Sequence, residues 1–125
     1  MNKNELKVRL TPLAYKVTQE HGTEPPFSGE FHDFNNNGNY CCICCDNHLF
    51  YSRDKFYSSC GWPAFSLALE DSTMEKHDHS HNMHRIEVLC KNCQAHLGHK
   101  FDDGPTGIRY CINSVALKFE ETGEK

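Results

Sequence analysis

The hydrophobic and polar positions along the chain predict one short helix near its start. The segment 11–22 opens with a Thr-Pro pair, which suits an N-cap and a first helical position, and it closes with a glycine, which suits a helix stop. Helical spacing places Leu13, Val17 and Tyr15 towards the core. The two prolines at 25–26 exclude a continuing helix.

Short apolar runs separated by turn residues fill the chain from Phe31 onwards, and such runs are typical of strands. The stretch 71–84 is polar and rich in histidine, and it is interpreted as a surface loop. The pattern predicts a mainly β domain with a short helical lead-in. The predicted strand segments are 40–42, 48–51, 85–89, 108–111 and 115–119.

Length and composition limit the architecture to one small domain. The 125 residues, of which 38% are hydrophobic, leave no room for a second independent core, so the predicted domain spans 1–125. A small, loop-rich domain usually needs a metal or disulfides for stability. A formal net charge of −4 argues against nucleic acid and anionic membranes as partners.

Cysteine usage and the absence of sorting signals together predict where the protein works. The first seven residues lack the apolar core of a secretion signal, and no apolar run approaches the roughly 20 residues of a membrane helix. Eight cysteines in such a chain favour metal and redox roles over a disulfide scaffold. We therefore expect a cytoplasmic protein.

Paired cysteines predict one structural zinc ion. A Cys-x-x-Cys turn presents two thiolates to a metal, and two such turns complete a tetrahedral shell. Cys90 and Cys93 form one pair. The other pair is ambiguous from spacing alone, because the run 41–45 offers either its first and fourth or its second and fifth residues. The pairs are far apart in the chain, so the metal is expected to join two distant hairpins.

Two isolated cysteines point to thiol chemistry. Cys60 lies two residues before Trp62 in a Gly- and Pro-flanked loop. Cys111 has Arg109 and Asn113 two residues away on either side, and a strand places all three side chains on one face. A thiol attacks as the thiolate, which nearby positive charge and hydrogen-bond donors favour. An inert buried cysteine is the alternative for Cys111 taken alone.

Two histidines, His96 and His99, follow the second cysteine pair directly. Four cysteines already supply a complete zinc shell, so neither imidazole is needed as a ligand. Imidazole titrates near neutral pH, and proton transfer is therefore the expected use of both side chains.

Several motifs in this order resemble those of the B-type peptide methionine (R)-sulfoxide reductases. They are Cys-Gly-Trp-Pro-Ala-Phe at 60–65, Ala-His-Leu-Gly-His at 95–99 and Arg-Tyr-Cys-Ile-Asn-Ser at 109–114, preceded by a similar lead-in over 10–27. The resemblance covers about 10–119, where the core of the domain is expected. It implies two antiparallel β-sheets and an enzyme that reduces the R epimer of methionine sulfoxide in peptides and proteins to methionine.

The resemblance also implies a role for each motif. A catalytic cysteine becomes a sulfenic acid, a resolving cysteine converts it to an intramolecular disulfide, and thioredoxin or a similar reductant reduces that bond in a monomeric enzyme. The family spacing selects the second and fifth positions of the run 41–45 for the single zinc ion. The implied catalytic residues are Cys111, Cys60, His96, His99, Asn113 and Arg109. The implied substrate-binding residues are Trp62, Phe65 and Asp103, and the zinc ligands are Cys42, Cys45, Cys90 and Cys93.

Two other functions compete with the enzyme hypothesis. One is a zinc-stapled β module that binds a partner through Trp62 and the histidines without turnover. The other is a metal-storage or zinc-delivery protein, which the extra thiols Cys41 and Cys44 and the histidine-rich loop 77–84 suggest. The presence of both Cys60 and Cys111 favours the enzyme over either alternative.

Overall fold

The computed structural model describes residues 2–122, apart from the side chain of His81. Two helices precede nine short strands, and three 3-10 turns lie between strands. The helices are α1 (Lys3–Arg9) and α2 (Pro12–Glu20). The strands are β1 (Gly38–Cys42), β2 (His48–Tyr51), β3 (Lys55–Phe56), β4 (Ala64–Phe65), β5 (Thr73–Asp78), β6 (Arg85–Cys90), β7 (His96–Phe101), β8 (Arg109–Ile112) and β9 (Leu117–Glu121).

The strands form two antiparallel sheets, which confirms the predicted fold class. The smaller sheet has the order β2-β1-β9, and the larger has the order β3-β4-β8-β7-β6-β5. Aromatic rings link the two: Phe65 of the larger sheet stacks on Phe50 of the smaller at 4.3 Å between ring centroids, and Tyr40 meets Phe65 at 5.1 Å. All three side chains are fully buried. Such aromatic packing contributes beyond its buried area.

The helical lead-in has two helices where the sequence predicted one. Helix α2 begins as expected, with the Thr11 side chain accepting a hydrogen bond from the amide of Ala14. Its buried side chains are Ala14, Val17 and Thr18, whereas Leu13 is 36% exposed, so the prediction that Leu13 faces the core is wrong. Small residues on the packed face let the helix lie close to the sheet, and this rotates Leu13 outwards. Helix α1 was not predicted.

The histidine-rich stretch is also more regular than predicted. Residues 73–78 form the edge strand β5, which pairs in full register with β6 from Thr73↔Cys90 to Asp78↔Arg85. An edge strand exposed on most of its surface carries no apolar alternation, so the sequence pattern favours a loop. Strand β7 was missed for a related reason, since two histidines and a glycine interrupt its apolar residues.

Neither of the two helices within residues 2–122 is long and apolar enough to cross a membrane.

Candidate active site and metal centre

Four cysteine sulfurs meet where the two sheets approach each other. The ligand atoms of Cys42, Cys45, Cys90 and Cys93 all lie within 4.8 Å of one another. Cys42 Sγ is 3.6 Å from Cys93 Sγ, and Cys45 Sγ is 3.6 Å from Cys90 Sγ. Zinc–sulfur bonds of ~2.3 Å in a tetrahedron require sulfurs about 3.8 Å apart. The donor set and its spacing therefore fit a zinc ion.

The two turns that carry these sulfurs have the same backbone pattern. The amide of Asp46 donates to the carbonyl of Cys42 at 2.8 Å, and the amide of Gln94 donates to that of Cys90 at 2.7 Å. Both Asp46 and Gln94 are left-handed, with φ of 66° and 64°. Each turn folds its two thiols towards one point, so a metal bound there would join the smaller sheet to the larger one.

The extra thiols Cys41 and Cys44 are not among these four clustered ligands. Cys41 alternates with Cys42 on β1 and lies opposite His48 and Lys118, and burial raises the pKa of its thiol to about 11. Cys44 is adjacent to the cluster: its Sγ accepts a hydrogen bond from Gln19, and hydrogen bonding with the Cys42 and Cys93 thiols lowers its pKa to about 3. Within the run 41–45, the second and fifth residues are those whose sulfurs cluster with the other pair.

A second sulfur site lies on the larger sheet. Cys111 is on β8, and Cys60 is in the loop before β4, with the two Sγ atoms 3.6 Å apart. Strand β4 pairs with β8 through Ala64↔Cys111, which holds the loop against the strand. A disulfide needs the sulfurs at ~2.05 Å, so a movement of about 1.5 Å would join them.

Hydrogen bonding between the two thiols divides their acidity unequally. It lowers the pKa of Cys60 to about 5, with help from hydrogen bonds to the Ser58 side chain and the Trp62 backbone. The same contact, followed by burial, raises the pKa of Cys111, and Arg109 acts in the opposite direction. The contact thus favours the thiolate at Cys60 over Cys111, whereas sequence reasoning predicted the thiolate at Cys111.

A small cavity of about 80 Å³ opens beside Cys111. It combines an aromatic wall, a thiol, an imidazole and a guanidinium, which is a mixture of apolar and polar groups suited to a small polar side-chain end. Its lining residues are Thr23, Trp62, Arg85, Gly98, His99, Phe101, Cys111 and Asn113.

Trp62 is fixed in this wall by the segment before β1. Its indole nitrogen donates to the carbonyl of Glu24 at 3.0 Å. The amide of Phe27 donates to the carbonyl of Gly61 at 2.7 Å. Gly61 has φ of 101°, and an added Cβ would lie 2.7 Å from Cβ of Pro26, so this position requires glycine.

The two predicted histidines have different environments. His99 lines the cavity, and its Nε2 donates to the Asp78 carboxylate at 2.8 Å. His96 is 2% exposed behind it, with ring centroids 5.5 Å apart, and its Nδ1 donates to Glu87 at 2.7 Å. Burial lowers the pKa of His96, although Glu87 opposes the shift.

The carboxylates that orient these histidines were missed by sequence reasoning. Asp78 ends β5, inside the stretch interpreted as a loop, and it also contacts Arg85 at 3.4 Å. The pKa of Asp78 is lowered by hydrogen bonds from the Ser80 backbone and from His99. Glu87 is buried on β6 and is shared by His96 and His21. A polar residue inside the apolar run 85–90 was the available signal for Glu87.

Arg109 and Asn113 flank Cys111 as predicted, but both are held by other groups. Arg109 Nε donates to Asp103 at 2.8 Å, and its guanidinium lies 4.4 Å from the Phe101 ring centroid. The Asn113 side chain accepts from the amide of Glu24 and donates to the carbonyl of Leu97, each at 2.9 Å. Its hydrogen bonds therefore position the lead-in segment against β7.

Two predicted substrate-binding residues lie away from the cavity. Phe65 is fully buried in the aromatic core, so its position does not support a substrate contact. Asp103 is exposed and forms an ion pair with Arg109 outside the lining. Trp62 is the predicted substrate residue that the fold places in the cavity wall.

Comparison with known proteins agrees with this geometry. The SelR domain family matches residues 10–121. This chain belongs to the SelR domain, or MsrB, family. The peptide methionine sulfoxide reductase MsrB of Burkholderia mallei is 51% identical over 97% of this chain and 87% of the relative. MsrB of Chromohalobacter salexigens is 50% identical over 94% of this chain and 92% of the relative.

A solved structure with low sequence similarity shares part of the fold. The crystal structure of the Mis18 "Yippee-like" domain superposes with a TM-score of 0.58 at 17% identity, covering 71% of this chain and 100% of that chain. This likeness concerns the fold alone.

Proposed function

We propose that the protein reduces methionine-R-sulfoxide in peptides and proteins to methionine, with Cys111 as nucleophile and Cys60 as resolving thiol. The observation that carries the proposal is that Cys111 lines one cavity with Trp62 and His99 and lies 3.6 Å from Cys60 Sγ. Membership of the MsrB family supports the same reaction.

The first step needs a thiolate on Cys111. The short contact lets Cys111 pass its proton to the Cys60 thiolate as substrate enters. The Cys111 sulfur then attacks the sulfoxide sulfur, and the sulfoxide oxygen takes a proton. Methionine leaves, and the oxygen ends on Cys111 as a sulfenic acid. The two electrons that reduce the substrate come from the Cys111 sulfur.

His99 is the proposed proton donor to the sulfoxide oxygen. It reaches the cavity, whereas His96 is buried behind it. The Asp78 carboxylate accepts a hydrogen bond from Nε2 and would stabilise a protonated imidazole, which leaves Nδ1 as the nitrogen that could donate to substrate. His96 and Glu87 serve as positioning residues, because they pack against the His99 ring and hydrogen-bond to each other.

Epimer choice follows from three chemically different neighbours. The substrate methyl group suits the Trp62 ring, the oxygen suits the proton donor His99, and the sulfur must face Cys111. Three fixed contacts around one pyramidal sulfur distinguish its two mirror-image forms. These contacts do not themselves fix which form is accepted; we propose the R epimer from the family resemblance.

Resolution and recycling use the second thiol. The Cys60 thiol, which carries the proton taken from Cys111, attacks the Cys111 sulfur; a sulfur–sulfur bond forms, and the sulfenic hydroxyl leaves with that proton as water. An external dithiol, proposed to be thioredoxin, then attacks the disulfide and returns both thiols. This cycle and the metal-binding thiols both require a reducing compartment, which supports the cytoplasmic location.

Zinc is proposed as a structural ion at the four-cysteine centre. Cys42, Cys45, Cys90 and Cys93 would hold it as thiolates and fill all four positions, so it supplies stability rather than a site for substrate. We further propose that one protein chain is a complete, monomeric domain, since all the groups named in the reaction lie within it.

The test uses an epimerically pure peptide containing methionine-R-sulfoxide. We expect Cys111→Ser to lose turnover by roughly a thousandfold or more with any reductant, because no other group supplies the attacking sulfur. Cys60→Ser should keep turnover with dithiothreitol and lose it with thioredoxin. Product methionine is measured by chromatography.

Two controls make the result decisive. The peptide with the S epimer should be left unreduced by wild-type protein. Zinc content should be equal in wild-type and variant proteins, which shows that the fold is intact. Zinc-loaded wild-type protein that reduces neither epimer would refute the proposal and favour a binding module.

A further inference from the structure

The hairpin formed by β5 and β6 carries a cluster of histidines that the proposed reaction does not use. His77 Nδ1 lies 2.9 Å from His84 Nε2. The His79 ring is stacked near His84 at 4.7 Å between centroids and lies 6.2 Å from the His77 ring. All three residues are exposed, so a solute can reach them.

The backbone explains why these rings meet. Strand β5 ends at Asp78, which pairs with Arg85 at the start of β6, and the chain reverses between them. His77 lies just before this end of β5, and His84 just before the start of β6, so the two are neighbours across the hairpin. Asp78 is tied to His99 and Arg85, which holds this end of the hairpin in place.

The spacing suits cis ligands of one metal ion. Metal–nitrogen bonds of ~2.0–2.1 Å at right angles place the two nitrogens about 2.9 Å apart, and at a tetrahedral angle about 3.4 Å. Right angles are the geometry of square-planar and octahedral Cu²⁺ and Ni²⁺ sites with imidazole ligands. The 2.9 Å between His77 Nδ1 and His84 Nε2 matches the right-angle arrangement. Small rotations of exposed rings would replace their shared proton with a metal.

We propose that His77 and His84 form a two-nitrogen surface site for a divalent transition-metal ion such as Ni²⁺ or Cu²⁺, with solvent filling its other positions. The site is separate from the four-cysteine centre and uses nitrogen rather than sulfur donors. It does not depend on the proposed reductase activity. Its position next to Asp78 places the bound ion one residue from the partner of His99.

The experiment is equilibrium dialysis of zinc-loaded protein against Ni²⁺, with bound nickel and zinc measured by mass spectrometry of the elements. The protein carries no added histidine tag. Cys60→Ser and Cys111→Ser are introduced together, because the paired thiols are an alternative nickel site. We expect one nickel per chain, with the zinc retained.

Variants then locate the nickel. His77→Ala combined with His84→Ala should weaken nickel binding by about tenfold or more. The matched control is His48→Ala, an exposed histidine that lies with Cys41 and Glu120 in another group of possible ligands. It should leave nickel binding unchanged. Circular dichroism and zinc content verify that each variant is folded.

Three results would overturn the proposal. They are the absence of nickel binding to wild-type histidines, equal binding by the double-histidine variant, and loss of binding in His48→Ala. If the double variant does not fold, His84→Asn alone replaces it. Unchanged nickel binding by that single variant would equally contradict the assignment.

Discussion

The metal centre and the thiol pair have the same sulfur spacing and opposite chemistry. Cys42–Cys93, Cys45–Cys90 and Cys60–Cys111 each have Sγ atoms 3.6 Å apart. In the four-cysteine cluster, two turns bring two such pairs together, and each pair joins one turn to the other. In the other site one pair stands alone beside a cavity. Distance between sulfurs therefore says little about function, and the number of thiols and their neighbours decides it.

The neighbours of each site follow from its position in the fold. The metal thiols sit on turns whose backbone amides are paired within the turn, so their geometry is set locally. Cys60 and Cys111 come from a loop and a strand, and their surroundings include Arg109, Trp62 and His99. Local turns therefore set the four-cysteine cluster, whereas long-range packing sets the Cys60–Cys111 pair, which we propose to cycle between thiols and a disulfide.

The largest expected effect is loss of the metal centre. Structural zinc contributes about 10–16 kcal/mol in small zinc domains, which is comparable with the ~5–15 kcal/mol total stability of an ordinary domain. We expect Cys90→Ala to lose zinc and most of its cooperative unfolding transition. Thermal unfolding followed by circular dichroism, with zinc analysis, measures both.

The matched control for that variant is Cys41→Ala. Cys41 is also fully buried but lies outside the cluster. It should keep zinc and lose only about 1 kcal/mol of stability, the usual effect of a small cavity. Equal behaviour of Cys90→Ala and Cys41→Ala would contradict a structural metal centre at these four cysteines.

The next largest effect is on the acidity of the thiol pair. Iodoacetamide reacts with thiolate, so alkylation of Cys60 should accelerate as pH rises through a pKa of about 5. Cys111→Ala removes the hydrogen bond that chiefly lowers this pKa. The midpoint should then move upwards by several pH units, towards the ~8.5 of a free thiol. Peptide mapping of the alkylated residue measures the shift.

Cys111→Ser is the control for this titration, because its hydroxyl can still donate to the Cys60 thiolate. Its midpoint should lie below that of Cys111→Ala. If both variants titrate like wild-type protein, the hydrogen bond is not what acidifies Cys60.

Sequence patterns predicted the parts of this molecule that depend on local chemistry. The fold class, the start of α2 and the strands at 48–51 and 85–89 follow from caps and apolar runs. Ligand spacing predicts the Cys90/Cys93 pair and leaves two choices in the run 41–45, between which the family resemblance selects. Residues whose role depends on a distant partner were not visible. Asp78 lies on an exposed edge strand, and nothing in its neighbourhood indicates that His99 packs against it.

The predicted site residues also divide into those that reach the cavity and those that pack elsewhere. Trp62 and Cys111 are brought to one cavity, but Phe65 of the same motif as Trp62 turns into the core. Trp62 lies in the loop before β4, whereas Phe65 lies on β4 and stacks on Phe50 of the smaller sheet. A motif read as a continuous string cannot distinguish its pocket residues from its packing residues.

A smaller effect is expected at the glycine that shapes the Cys60 loop. Gly61 and Gly107 have nearly equal positive φ, 101° and 99°. An alanine Cβ at 61 would meet Pro26 at 2.7 Å, whereas at 107 it would meet nothing within 4 Å. Both alanine variants should lose about 1–2 kcal/mol from backbone strain. Gly61→Ala should lose roughly a further 1–3 kcal/mol from overpacking.

The difference between those two variants isolates the clash, and urea denaturation measures it. Gly61→Ala should also lower turnover, because Pro26 and the Cys60 loop must move apart. Equal stabilities would mean that the loop is not packed against the lead-in as described.

The smallest effect is expected at His21, the exposed histidine of the group that His21, Glu87 and His96 form behind the cavity. Glu87 accepts from buried His96 and from His21, which is 55% exposed. An exposed partner is screened by water, so His21→Asn should cost less than about 1 kcal/mol, and asparagine tolerates the left-handed backbone there. Glu87→Gln removes the charge from both contacts inside the protein and should cost about 1.5–3 kcal/mol. Thermal unfolding at pH 7 compares them, and a larger loss in His21→Asn than in Glu87→Gln would mean that His21 acts through contacts other than this carboxylate.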